Sequence, residues 1–230
     1  MKQKMIFSTH VIIDKKYYPT PASGLIPDWY KKMESYLGQK KIPDGDGNTS
    51  VTIKKCMPVF DAITAGYILY TPVDLYVSQR DGFPYYEWSD LELVSFHSKE
   101  QAPTHPNVNE LLSIPKFRNL WSIKTPKGYS TLFVQPFHRE SPFTILPGVV
   151  DTDTYLAPVN FPFTLNDTRF EGFIPAGTPM AQVIPFKREI WEMSIGDEEA
   201  SKEANEVAIK LKSKFFDRYK TMFWHKKEYR

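Results

Sequence analysis

Prolines and turn-forming pairs break the middle of this 230-residue chain into short apolar runs, and that punctuation constrains the fold more than any other feature. From Val51 onward the pattern is β: Val51 to Met57, Tyr67 to Tyr70, Val73 to Val77, Pro84 to Trp88, Leu91 to Phe96, Phe117 to Ile123 and Ser130 to Pro136 each read as a strand. Pro58, Pro72 and the Asp81-Gly82 pair cut them apart, and a further turn is expected at Thr125 to Tyr129. Nineteen prolines against eleven glycines, with 15% aromatic residues, favour short antiparallel strands around a wide aromatic core over a helical bundle or a disordered chain. All-β folds of this length often stay undivided, so one β-rich domain with an appendage is the expected organisation. No internal repeat is visible.

The flanks read differently. Met5 to Ile13 is an expected first strand, followed by a polar connection from Asp14 to Ser23. Pro27 then opens a short helix, with Trp29, Met33 and Tyr36 or Leu37 at helical spacing and Gly38 as a stop. Residues 41–50 are turn-rich. Their Asp44-Gly45-Asp46-Gly47-Asn48 opening imitates a calcium loop, but Thr49 stands where the sharp turn needs glycine and Lys55 where a bidentate Glu is needed, so a plain turn is the reading. His97 to Asn109 is expected to be a long loop.

After Gly196 the composition changes. Asp197, Glu198 and Glu199 form an acidic first turn, and His225, Lys226, Lys227 and Arg230 a basic last one, both suited to a helix dipole. Ala204, Ala208, Leu211, Phe215, Tyr219 and Met222 make one helical stripe, with Ile209, Phe216 and Phe223 beside it. One row can dock on the sheet; the other, with Trp224, needs a partner chain to cover it. The expected division is therefore 1–195 as the β-rich domain and 196–230 as an amphipathic helix for docking or homo-oligomerisation. Residues 210–230 carry eight basic side chains against two acidic ones, read as a solvated face rather than a nucleic-acid contact.

Composition also narrows the partners. With 29 basic and 27 acidic residues the formal charge is +2, which gives no global field for nucleic acid or an anionic membrane. The single Cys56 excludes an intramolecular disulfide, fits a reducing compartment, and sits in an apolar run expected to be an inert strand. Met5-Ile6-Phe7 is too short for the apolar region of a secretory leader, and Ala62 to Val77 is too short and too interrupted to span a bilayer. A cytoplasmic protein without a membrane partner is expected.

The candidate site lies near residue 150. If Asp151 to Tyr155 is extended, Asp151, Asp153 and Tyr155 share one face, with Thr152 and Thr154 on the other. Two acids and a phenol could bind a divalent cation, activate a water, or bond a sugar hydroxyl. The alternative is a polar loop in which Asp and Thr cap turns. The five histidines include no His-x-His pair; His138 with Glu140 could begin a metal site but lacks a second close histidine. No nucleophile elbow and no phosphate-binding glycine loop is present.

Two resemblances bear on this region. Gly148-Val149-Val150-Asp151-Thr152-Asp153-Thr154-Tyr155 and Gly177-Thr178-Pro179-Met180-Ala181-Gln182 resemble the motifs of the dUTPase and dCTP deaminase superfamily, with His138-Arg139-Glu140-Ser141-Pro142 where that family carries a phosphate motif. The resemblance implies a β-clip fold and a nucleotide site: Asp151 as the water-activating carboxylate with Asp153 beside it, Tyr155 facing the sugar, Arg139, Ser141 and Gln182 on the phosphates, and Mg2+ accompanying the nucleotide. The chain departs from the pattern in placing Tyr155 one residue late, in following it with Leu156-Ala157-Pro158, and in lacking the deaminase glutamate in Asn160 to Leu165.

The second, broader resemblance is to an uncharacterised family of phages and bacteria. It rests on Cys56-Met57-Pro58, on Ala65 to Pro72, on Val149 to Asp153 and on Gly177 to Pro185, and implies a phage origin, hence a host cytoplasm, without implying an activity. Together the readings lead to a mainly β fold, an antiparallel distorted barrel or β-clip, with a short N-terminal helix and a long C-terminal one. The expected role is binding a small phosphorylated ligand such as a nucleotide, with hydrolysis left open. The competing role is a non-enzymatic structural or interaction module of phage type.

Overall fold

The computed structural model describes residues 3–37, 51–101, 113–212 and 218–230. Among them are fourteen strands: Ile6–Ser8 (β1), Thr20–Pro21 (β2), Tyr67–Tyr70 (β3), Leu75–Arg80 (β4), Phe83–Trp88 (β5), Val94–His97 (β6), Ile114–Phe117 (β7), Ser122–Lys124 (β8), Tyr129–Val134 (β9), Phe143–Ile145 (β10), Gly148–Val150 (β11), Phe161–Leu165 (β12), Gly172–Ile174 (β13) and Pro179–Lys187 (β14). The α-helices are Asp28–Lys32 (α1), Met57–Thr64 (α2), Glu198–Lys212 (α3) and Arg218–Met222 (α4). The calcium-like residues 41–50 and most of the loop expected at 97–109 lie outside the described residues.

The strands form four antiparallel sheets, ordered β11-β9-β14-β3-β2, β10-β12-β7-β6, β13-β4-β5 and β1-β8. The fold is thus mainly β, as expected. A closed barrel is not found: among the described residues each sheet order ends in edge strands. Two of those edges, β2 and β5, contain Pro21 and Pro84, which lack the amide proton that another ladder would need.

The chain divides into two compact units, Met1–Leu25 with Thr64–Arg188 and Tyr229–Arg230, and Ile26–Ile63 with Glu189–Glu228. The first unit holds every strand and the aromatic core. Phe117 stacks on Phe163 at 4.0 Å, and Phe143 meets Phe117 edge-on at 4.7 Å. Phe133 of β9 reaches Phe161 of β12 at 5.4 Å, so the interior lies between the five-stranded and four-stranded sheets. All five rings are fully buried, each contributing about 1.5–3 kcal/mol by area.

Turn chemistry decides several joints. Asp81 and Gly82, at φ 52° and 80°, close the β4–β5 hairpin in the left-handed conformations that a two-residue turn requires. At the start of β3, Gly66 has φ 66°, and a Cβ there would lie 2.0 Å from the Val183 carbonyl oxygen, so β3 and β14 meet only through glycine. The Thr125 to Tyr129 turn forms, with the Tyr129 amide donating to the Pro126 carbonyl, but it joins strands of different sheets: β8 pairs with β1, and β9 with β14 and β11.

Three elements differ from expectation. The first strand stops at Ser8 because local side chains capture the backbone: Thr9 accepts from the Val11 amide, and Asp14 caps a 3-10 turn at Lys15–Tyr17. The Pro27 helix ends at Lys32, and Tyr36 instead bridges to Val51. Val51 to Met57 is no strand; a 3-10 turn at Ile53–Lys55 leads into α2, with Cys56 half-buried at the helix entrance. Pro58 occupies the first turn of α2, where a missing amide proton costs nothing.

In the second unit, the Tyr30 hydroxyl donates to the Lys54 carbonyl at 2.9 Å, and Lys54 Nζ donates to the carbonyls of Lys31 and Met33. Trp224, expected to need a partner chain, instead finds a partner in its own: its Nε1 donates to the Asp61 carboxylate at 3.0 Å, which Lys227 Nζ also reaches at 2.6 Å. Asp197 caps α3 by accepting from the Ala200 amide, with Glu198 and Glu199 in the first turn as the dipole argument expects. Residues 198–211 are all exposed, so neither apolar row of α3 is covered.

Candidate functional site

The Asp151 segment is a tight turn. β11 ends at Val150; the Thr152 amide donates back to the Val150 carbonyl, and the Thr154 and Tyr155 amides both donate to the Asp151 carbonyl. Strand alternation therefore fails here. Thr152, expected to point away from the site, is buried instead: its hydroxyl bonds Thr125 Oγ1 at 2.8 Å and Thr131 Oγ1 at 2.7 Å. Tyr155 leaves the acids and stands exposed.

The two carboxylates converge on a residue that the sequence reading overlooked, Arg188, which follows directly on β14. Its guanidinium forks onto Asp153, with Nη1 donating to Oδ1 at 3.0 Å and Nη2 donating to Oδ2. Nη1 also lies 3.1 Å from Asp151 Oδ1, and it donates to the Tyr129 carbonyl at 3.1 Å. Asp151 Oδ1 accepts from Ser130 Oγ at 2.6 Å, and Asp153 Oδ2 accepts from the Gly128 amide at 2.8 Å. The cluster ties three chain segments together at one end of the five-stranded sheet.

This environment fixes the protonation of Asp153. Its side chain is only 2% exposed, and Arg188, followed by the Gly128 amide, pushes its carboxyl down to about 2. Asp153 in turn raises the Arg188 guanidinium further. A carboxylate held this far below neutrality, with its oxygens already bonded, is a weak general base. Nothing before β14 marks Arg188 in the sequence; its partnership arises from the register that sets Lys187 opposite Tyr129.

Gln182, Arg139 and Ser141 each bond to other parts of the chain. Gln182 is 0% exposed; its Oε1 accepts from the Phe137 amide at 3.0 Å and its Nε2 donates to the Ala65 carbonyl at 2.7 Å. Six positions along the β14 direction separate it from Arg188, about 20 Å at strand rise. Gln182 and the two acids are therefore held at different levels along β14. Ser141 Oγ accepts from the Phe143 amide at the entrance to β10, and its carbonyl accepts from Asn166 Nδ2.

Arg139 is the least satisfied of the candidates. Nη2 donates to the Leu25 carbonyl, while Nε is buried without a hydrogen-bond partner among the described residues. Burial lowers the guanidinium from its ordinary value, and the Tyr70 phenol acts in the opposite direction. Tyr70 in turn shares a 2.5 Å hydrogen bond with Thr20.

A depression of about 430 Å3 lies along β10 and β12, lined by Thr144, Leu146, Pro147, Thr164 and Asn166 among others. It contains no titratable side chain and none of the candidate residues. No group of three His, Cys, Asp or Glu among the described residues is placed to hold a metal, and His138 with Glu140 gains no third donor of that kind. No helix among the described residues is long and apolar enough to cross a membrane. In comparisons with known proteins, the chain matches no family model and no curated protein.

Proposed function

We propose that the protein is a non-enzymatic structural or interaction module. The observation that carries this reading is the run after β14: Ile190, Trp191, Met193 and Ile195 are each at least 85% exposed. Apolar surface of that size, contiguous along a short segment, marks an interaction site in a soluble chain. The acids support the same reading from the other side, because Asp153 caps the Gly128 turn and both Asp151 and Asp153 are held by Arg188. The resemblance to the uncharacterised phage and bacterial family fits a module of this kind in a phage-encoded protein of the host cytoplasm, and the β-clip remains its proposed fold family.

A second reading has one observation in its favour. The buried, unpartnered Nε of Arg139 is the sort of donor that a small phosphorylated ligand such as a nucleotide would satisfy, with Mg2+ entering alongside the nucleotide. Thermal-shift titration with inorganic phosphate, dUTP and dCTP, each with and without Mg2+, separates the two. The interaction module is expected to keep its melting temperature throughout. A rise with any of these ligands that disappears in Arg139→Gln would replace it with the ligand-binding reading.

A further inference from the structure

We infer that the partner of the exposed apolar surface is a second copy of this chain, joined through an antiparallel pairing of α3. This deepens the interaction reading above and rests on it. The inference starts from the helix itself. Ala200, Ala204, Val207 and Leu211 recur at steps of four, three and four, the seam spacing of paired helices, and all four are exposed. Alanines at half of the seam let two backbones approach closely. The bare Ile190 to Ile195 run precedes the same helix in the chain.

Charge selects the occupant. The N-terminal part of α3 is acidic, with Glu198, Glu199, Glu203 and Glu206 against Lys202, and its C-terminal part is basic, with Lys210 and Lys212. The basic run continues in the sequence through Lys214, Arg218 and Lys220. A helix of this polarity is complementary to itself when reversed: Glu203, which flanks the seam, faces Lys210 on the same flank of the other copy, and the two-fold axis repeats the contact. A parallel pair would set acid on acid and base on base. A nucleic acid or an anionic membrane would meet the acidic half as repulsion.

The available area matches a stable dimer. Trp191 alone offers roughly 200 Å2. With Ile190, Met193, Ile195 and the α3 seam, the uncovered apolar surface is of the order of the roughly 800 Å2 per partner that a standard interface buries.

The test uses the full chain in sedimentation equilibrium across a concentration series. The wild type is expected at twice its 26.7 kDa mass. The variant Glu203→Lys should weaken the dimer at least tenfold, and so should Lys210→Glu. Mixing the two variants should restore a one-to-one dimer, because one copy then presents only positive charges beside the seam and the other only negative ones. Restoration on mixing reports pairing rather than a loss of α3, and circular dichroism of each variant checks the helix directly.

A wild type that stays monomeric overturns the inference, as does a dimer indifferent to reversal of Glu203, which is the behaviour of a parallel or unrelated interface. Failure here leaves the interaction reading standing with a different partner. That reading itself falls only if the phosphate and nucleotide titrations give an Arg139-dependent shift.

Discussion

The aromatic interior of the strand-bearing unit and the apolar run after β14 are built from similar residues, yet their surroundings are opposite. Phe117, Phe143 and Phe163 contact one another within 4.0 to 5.8 Å and exclude water completely. Trp191, Met193 and Ile195 are bare. Hydrophobic side chains stabilise a fold only where the chain supplies its own neighbours; elsewhere the same free energy is held until another surface arrives. On the proposed reading one region carries stability and the other association, and substitutions should separate the two.

The largest effect belongs to the interior. Phe163→Ala removes a ring stacked on Phe117 and edge-on to Tyr86 and Phe143, leaving a cavity between packed sheets. Chemical denaturation should show a loss of about 3–5 kcal/mol. A loss below about 1 kcal/mol would mean that the interior relaxes around the cavity, and the contrast between the two regions would weaken accordingly.

A smaller and conditional effect belongs to the Asp153 and Arg188 cluster. The Asp153 carboxyl falls from its ordinary 3.8 to about 2 in the folded chain, so the unfolded chain binds the proton more readily. Its stabilisation is complete above pH 3.8 and drains away as the pH falls toward 2. Asp153→Asn keeps the shape and an acceptor for the Gly128 amide but loses the ion pair. The variant should be less stable than the wild type at neutral pH, and the difference should close across that acid window. Equal stability at both ends would show that Arg188 positions the turn without contributing to folding.

How far these features were legible in the sequence depends on the range of the interactions behind them. Asp81-Gly82 was readable because a two-residue turn is decided by its own backbone. α2 was not, because Pro58 serves equally as a strand breaker and as a first-turn helix residue, and the choice depends on what Val59 and Phe60 pack against. The acidic site misled for a related reason. Alternation places Asp151, Asp153 and Tyr155 together only if Thr152 stays in a strand, but Thr152 gains two buried hydroxyl partners, Thr125 and Thr131, by turning inward. Arg188 was invisible because its partners lie on segments brought beside it by the β9–β14 register. Of the long C-terminal helix the acidic start was legible, but the basic last turn expected at His225, Lys226, Lys227 and Arg230 lies outside any helix, because α4 ends at Met222 and Trp224 and Lys227 are drawn to Asp61.

The smallest effect completes the comparison between interior and surface. Trp191→Ser removes the largest exposed side chain of the run, and because that side chain contacts little within its own chain, the unfolding free energy of the dilute monomer should change by no more than about 0.5 kcal/mol. The concentration dependence should change far more. A wild type that self-associates through this surface has a melting temperature that rises with protein concentration, because dimerisation draws the folded monomer away from unfolding. Trp191→Ser should flatten that rise while leaving the dilute limit in place. If the dilute limit itself falls by several kcal/mol, Trp191 packs within its own chain in solution, and the division between a stabilising interior and an associating surface would not hold at this residue.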